Sequence, residues 1–363
     1  MKWCFSLFAA FLVLTVPAAA TDLYFGGDLS FANEMNDCGA VYRDNGVVKD
    51  VYAIFKDHGA NLIRIRIWTE GNDRKYSNLA DVERSIRRAK SAGMQVLLDF
   101  HYSDSWADGD KQIIPKAWTG ITDNAALAQT LYQYTYDTLT TLDREGLMPQ
   151  IVQVGNEINQ EMLGQEDWKG RPIDWERNAM IINAGVKAVR DAGAKSTIKP
   201  RVMLHIAQPE NVEPWFAAAA KAGVTDFDII GISYYPKWSK YSISNLGTEV
   251  FRLTHLYKAD VMVVETGYAW TMAWKDTTPN TLGEDSIARG YPPTREGQEK
   301  FLLDLTDAVL GNGGDGVIYW APDWVSTDCT TQWGRGSSWE NATLFDFDGE
   351  VLPSIDFMNR PGK

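Results

Sequence analysis

The sequence predicts an α/β fold, a single domain in which eight strands alternate with helices around a closed parallel ring, and three observations carry that prediction. Short apolar runs recur along the whole chain and read as strands buried on both faces. Between them lie longer stretches with apolar residues at helical spacing, several closed by a glycine just past the last turn, at Gly59, Gly93, Gly193 and Gly223. The strand count reaches eight, and no Gly-x-Gly-x-x-Gly fingerprint follows the first strand, as the competing doubly wound open sheet would favour. The expectation is a (β/α)8 barrel, the TIM barrel, with enlarged loops on the face where strands end and sites are built.

Residues 1–20 stand outside that domain. Lys2, an apolar segment over 5–16 and Pro17-Ala18-Ala19-Ala20 make a secretory signal peptide, too short for the roughly 20 residues of a membrane span. Thr21 is the expected first mature residue, the barrel occupies 21–363, and the protein is expected to be secreted. Strands are predicted over 23–30, 61–68, 95–102, 151–157, 201–207, 228–235, 260–265 and 316–320. Helices are predicted over 50–58, 81–92, 125–142, 174–192, 213–222, 246–257 and 294–310.

With 48 acidic against 35 basic residues the net charge is −13, which disfavours nucleic acid and anionic membrane as partners. The 14 Trp and 15 Tyr serve core packing, and they are also the ring faces on which sugars stack. Cys4 leaves with the signal peptide, so Cys38 and Cys329 remain and can form one disulfide outside the cell. No Cys-x-x-Cys or His-Glu-x-x-His motif points to zinc, and no metal ligand set is assigned.

Two apolar runs end in an acid: 151–157 in Asn156-Glu157, and 260–265 in Glu265. A carboxylate at the end of a buried strand costs desolvation free energy unless partners satisfy it. On the fourth and seventh strands, the two reach across one barrel mouth and form the acid and nucleophile pair of a glycosidase; a separation of roughly 5–5.5 Å gives retention. Asn156 is a hydrogen-bond donor beside the acid. Arg64, Arg66 and Trp68 share one strand face; Arg66, nearer the strand end, is read as orienting a catalytic Glu and Arg64 as part of a structural ion pair. The stretch from Asp99 to Asp108 is dense in polar and aromatic groups, including His101, Asp104 and Trp106, and suits a sugar cleft; a cation site of Asp99, Asp104 and Asp108 is the rival reading. His205, Tyr234 and Trp320, at other strand ends, complete the candidate ring.

The run from Asp99 to Asp108, with Val154-Gly-Asn-Glu-Ile158, Gly231-Ile-Ser-Tyr-Tyr-Pro236, Val263-Val-Glu-Thr266 and Tyr319-Trp320, resembles the endo-β-1,4-galactanases of glycoside hydrolase family 53. The resemblance spans nearly the whole mature chain. It implies a TIM barrel, endo-hydrolysis of β-1,4-galactan or type I arabinogalactan with retention, Glu157 as acid/base and Glu265 as nucleophile. It places Asn156, Arg66, His205, Tyr234 and Trp320 against the nucleophile or the central sugar. It implies no required cofactor, a monomer, and galactan as the partner. One departure stands out: many members read Tyr-Trp-Glu-Pro-Ala-Trp where this chain has Tyr319-Trp320-Ala321-Pro322-Asp323-Trp324, so the acid has moved by two residues. Some bacterial relatives bind a structural calcium in the last loops, where Glu284, Asp285, Asp323 and Asp328 are the candidate ligands. Cys38 and Cys329 follow neighbouring strands, in keeping with a bridge. The alternatives are a related barrel acting on mannan or glucan, and one that only binds galactan. A single sequon occurs at Asn341-Ala342-Thr343.

Overall fold

Every predicted strand forms, and the eight close into one parallel barrel. The computed structural model describes residues 23–69, 75–165, 168–331 and 334–360; the expected signal peptide, 1–20, lies outside the described residues. In chain order the barrel strands are β1 (Tyr24–Asp28), β2 (Leu62–Ile67), β3 (Gln95–Phe100), β4 (Ile151–Val154), β5 (Arg201–Ala207), β6 (Ile229–Tyr234), β7 (Asp260–Thr266) and β8 (Gly316–Tyr319). Each pairs in parallel with the next, and β8 with β1. The β1 and β2 backbones approach so closely at Gly26 that a Cβ there would sit 1.7 Å from the Leu62 carbonyl oxygen, so no other residue fits.

Among the described residues, besides a short six-residue helix at Ala32–Asp37, seven longer helices connect the strands: α1 (Val51–Asp57), α2 (Leu79–Ser91), α3 (Asn124–Arg144), α4 (Trp175–Lys195), α5 (Pro209–Lys221), α6 (Ile243–Leu256) and α7 (Arg295–Gly311). Six begin on a side chain that accepts a free backbone N–H of the first turn: Asp50, Asn78, Asp123, Asp174, Ser242 and Thr294. The exception, α5, starts on Pro209, whose missing N–H costs nothing there. After β8 a 3₁₀ segment, Pro353–Met358, packs against α7 where a further helix would complete the ring.

The barrel interior has two layers. The lower is apolar, with Tyr24, Leu62, Leu97, Ile151, Met203, Ile229 and Ile318 from seven strands and both Met262 and Val264 from β7. Further along, the same inward faces turn polar, two residues on at Arg64, Asp99, Gln153 and His205 and four residues on at Asp28 and Ser233, all buried. This change of polarity marks the catalytic end. There a disulfide joins Cys38, after β1, to Cys329, after β8. Among the described residues no helix is long and apolar enough to cross a membrane.

Candidate active site

β4 stops at Val154, three residues short of the predicted strand, and the difference builds the site. Gly155 and Glu157 both take left-handed backbone angles, with φ of 85° and 44°. A Cβ at Gly155 would lie 2.5 Å from Ile158 Cγ2, so glycine is required there. Glu157 bears the conformation without that freedom, at a cost of about 1–3 kcal/mol that its surroundings must offset. The turn presents Asn156 and Glu157 to the barrel mouth together. Asn156 Oδ1 accepts from Arg64 Nη2 at 2.7 Å, and its Nδ2 donates to the Ala107 carbonyl at 2.8 Å, tying the loop after β3 to the barrel floor. Glu157 accepts from the Ser233 hydroxyl at 2.5 Å on Oε1 and from the Gly109 amide at 3.0 Å on Oε2.

Glu265 arrives by a different device. By the two-residue period, Met262 and Val264 face inward, so Glu265 would face the helices. A bulge corrects this: the β6–β7 register runs Ile232 to Val263, then Ser233 to Glu265, and the extra residue brings Glu265 inward directly after Val264. Its Oε1 lies 2.8 Å from Arg64 Nη1, and Oε2 accepts from the Tyr235 hydroxyl at 3.3 Å. Arg64 itself is fully engaged. Nη1 also meets Asp28, Nη2 meets Asp99 and Asn156, and Nε donates to Gln153.

Both carboxylates line an open cavity of about 830 Å³. Trp106, Trp320, Trp324 and Trp339 form one wall, braced by ring contacts of Trp320 with Trp106 and Trp339 and by stacking of Trp324 on Phe31 at 4.2 Å. Trp238, Asn159 and Asn211 line the cavity as well. Two acids among aromatic faces and amides are the equipment for holding and cleaving a sugar chain.

The sequence profile of glycosyl hydrolase family 53 matches residues 24–358. The chain belongs to that family. It is 50% identical over 356 residues to the arabinogalactan endo-beta-1,4-galactanase of Cellvibrio japonicus (strain Ueda107), covering 97% of this chain and 95% of that one. Among solved structures, the family 53 catalytic domain from Ignisphaera aggregans superposes with a TM-score of 0.84 at 31% identity, covering 96% of this chain and 99% of that one. A structure reported among two fungal beta-1,4-galactanases gives 0.78 at 28% identity, covering 94% and 100%.

Within this family 53 barrel, Glu157, Glu265, Asn156, Trp106 and Trp320 come together at the cavity as expected. The other expected site residues do not. Arg66 fails to reach Glu265: its Nε donates to Ser77, and its guanidinium lies 4.3 Å from the ring centres of Phe31 and Trp106. Arg64, one inward position deeper, takes that role. Tyr234 follows the alternation outward, donates to the Tyr241 carbonyl and stacks on Phe301; Tyr235 is the tyrosine at Glu265. His205 is buried in the floor, and His101 is spent on Asp99 and the Ala107 amide. Asp104 closes its own loop through Thr69 and the Lys116 amide. The rival cation set of Asp99, Asp104 and Asp108 is thus divided among separate partners. The calcium candidates do not converge either: Asp285 pairs with Lys237, Asp328 with Arg335, and Asp323 is buried. Among the described residues no three metal-ligating side chains gather. The sequon is closed, because Asn341 is 1% exposed and donates its side-chain amide to the Leu282 and Thr271 carbonyls.

Burial raises the Glu157 carboxyl above the usual range, against the pull of the Ser233 and Gly109 donors. Burial raises Glu265 further; Arg64 opposes this, while Glu157, Asp99 and Asp28 add to it. The two acids differ in what they face: Glu265 a permanent cation, Glu157 only neutral donors. The cation beside Glu265 favours its charged form, and among the described residues no cation touches Glu157. His205 is held neutral, chiefly by burial and then by Arg64.

Proposed function

We propose that this chain is a secreted, monomeric endo-β-1,4-galactanase that hydrolyses galactan or type I arabinogalactan with retention. The observation that carries the reading is the Glu157 and Glu265 pair on one cavity, the first among neutral donors and the second against a guanidinium, in a chain half identical to an arabinogalactan endo-beta-1,4-galactanase. Glu265, held by Arg64 and Tyr235, attacks the anomeric carbon. As that bond forms, the glycosidic C–O bond breaks and Glu157 gives its proton to the departing oxygen. Water then enters, Glu157 takes its proton, and the new C–O bond releases Glu265. The steps use side chains alone and call for no metal or other cofactor. The tryptophan wall offers flat faces to the apolar side of galactose rings, while Asn159 and Asn211 suit its hydroxyls.

Export is supported by the basic start, apolar segment and Ala-rich site at residues 1–20; amino-terminal sequencing of exported protein should begin at Thr21. The reaction is tested by digesting linear β-1,4-galactan, with mannan and soluble cellulose alongside, and following products by proton NMR from the first minutes. Short oligomers that begin as β-anomers, from galactan alone, are expected. α-Anomers first would overturn retention, and cleavage of mannan or cellulose alone would overturn the substrate.

A further inference from the structure

The loop after β3 folds back against the turn that carries Glu157, and one side chain fastens the two. Asp108 and Lys111 exchange both backbone hydrogen bonds, at 2.8 and 3.0 Å, and the Asp108 carboxylate accepts the Asp110 N–H at 2.9 Å. A closed hairpin results, with Gly109 and Asp110 at its tip. From that tip the Gly109 N–H donates to Glu157 Oε2 at 3.0 Å. Behind it lies Gln112, buried, whose Nε2 donates to three carbonyls: Asp108 at 2.9 Å, Asn156 at 2.8 Å and Glu157 at 3.0 Å. Only the NH2 end of an amide suits such a ring of oxygens.

β4 ends at Val154, which takes the Asn156 and Glu157 carbonyls out of the sheet ladder, and Glu157 holds its left-handed φ of 44°. A turn of that kind keeps its shape only where its surroundings over-determine it. Gln112 supplies donors on the turn side and holds the residue just before Gly109 on the loop side. It therefore spans both ends of the contact between Gly109 and Glu157.

We propose that Gln112 is a positioning residue for the acid/base, a clamp that fixes the Glu157 turn against the loop after β3 so that the Gly109 N–H meets Oε2. The proposal rests on the reading of Glu157 as acid/base. Ser233, fully buried, holds Oε1, whereas Gly109 lines the cavity, so Oε2 is the oxygen on the substrate's side. As Glu157 gives up its proton, the N–H comes to face a full carboxylate, and a hydrogen bond to the charged form is the stronger one. The contact thus tightens as the glycosidic bond breaks.

The charged and titratable groups facing Glu157 are Asp108 after β3, Arg64 on β2, His205 on β5, Tyr235 after β6 and Glu265 on β7. The substitutions below alter none of these. Gln112→Met removes the donors and keeps the length of the side chain. Its kcat/KM should fall about tenfold on galactan but less than about twofold on an aryl galactoside whose leaving group needs no proton. The limb where activity falls as Glu157 loses its proton should move to higher pH, because a donor to the carboxylate is lost. Glu157 is partly exposed on the cavity, so water replaces some of that donor and the shift should be about half a unit. Equal losses on both substrates, or an unmoved limb, would reduce Gln112 to packing and overturn the clamp.

Gly109→Pro removes the N–H itself and leaves the buried amide in place. Gly109→Ala is its reference, since both carry a Cβ, which would lie 3.2 Å from the Ala207 Cβ. Relative to alanine, proline should give the same split between substrates and the same movement of the limb; neither would overturn the proposal. In the Gly109→Pro background Gln112→Met should cost less than about threefold more on galactan, because both changes act through one contact. Losses that multiply would mean that Gln112 acts elsewhere. Glu157→Gln separates the clamp from the reading beneath it. If that variant still cleaves galactan, the acid/base assignment falls and the clamp with it; if it is inactive while Gln112→Met and Gly109→Pro keep the substrate ratio and the limb, only the clamp falls.

Discussion

Glu157 and Glu265 occupy the same cavity, yet the fold treats them as opposites. Glu265 sits on a regular strand made irregular by one bulge, and its oxygens meet a guanidinium and a phenol. Glu157 sits past the end of its strand, on a strained turn, and its oxygens meet a hydroxyl and a backbone amide. The first setting stabilises a fixed negative charge. The second tolerates either protonation state, because neutral donors of modest strength do not commit the group. Two identical side chains thus acquire two chemistries from what lies within 3.5 Å of them.

The most severe break in this contrast is Glu265→Ala. Turnover on galactan should fall by at least about 10⁴-fold, and azide should restore part of it by attacking the exposed anomeric carbon in the nucleophile's place. Restored product of retained configuration would count against the assignment. Next is Glu157→Ala, for which a loss of about 10²–10⁴-fold is expected on galactan but little on the glycosylation step with an aryl galactoside whose leaving group needs no proton. Equal losses on both substrates would show that Glu157 does not act as an acid.

A sharper comparison sets Arg64→Lys against Arg66→Lys. Lysine cannot reproduce the planar fork that serves Asp28, Asp99, Asn156 and Glu265 together, so kcat should fall about 10²-fold at position 64 and the barrel should lose about 3–5 kcal/mol of stability. At position 66, which touches rings rather than the nucleophile, less than about tenfold is expected. The reverse order would return Arg66 to the role the sequence suggested.

The smallest effect concerns a third buried carboxylate, Asp323, whose oxygens have no hydrogen-bond partner and which burial pushes up to about 8. Its ordinary value is 3.8, so between those limits the folded state keeps a proton that the unfolded chain gives up. Stability contributed by protonated Asp323 is full below the lower limit, declines as pH rises and is gone above about 8. Asp323→Asn should raise the melting temperature by a few degrees at pH 8 and leave it unchanged at pH 4. Equal shifts at both pH values would mean that the carboxylate is solvated.

Much of this was legible in the sequence. Alternating apolar runs and helical periods specify a barrel, and an acid ending such a run is conspicuous. The two-residue period assigns Arg64 and Arg66 to one face correctly, but it carries no measure of depth, and one inward step along a strand separates a residue that reaches Glu265 from one that does not. Tyr234 and Tyr235 are adjacent, so the face decides between them; the alternation from Ile230 and Ile232 points Tyr234 outward. His205 and His101 read as cleft residues because polarity shows from sequence while burial beneath a loop does not. Trp238, Trp324 and Trp339 follow no period at all, since loops bring them to the cavity. The bulge in β7 leaves no mark in its composition.

Asn341 carries a consequence for maturation. Its amide is the peg between the loops after β7 and β8, and its backbone carbonyl receives the Trp270 N–H. An enzyme that transfers oligosaccharides to this acceptor can reach it only on a nascent, unfolded chain, and a glycan once attached would hold those loops apart. Synthesis in a host that glycosylates during translocation would therefore set sugar transfer in competition with closure of the tryptophan wall, and the fraction of active molecules would depend on which finishes first.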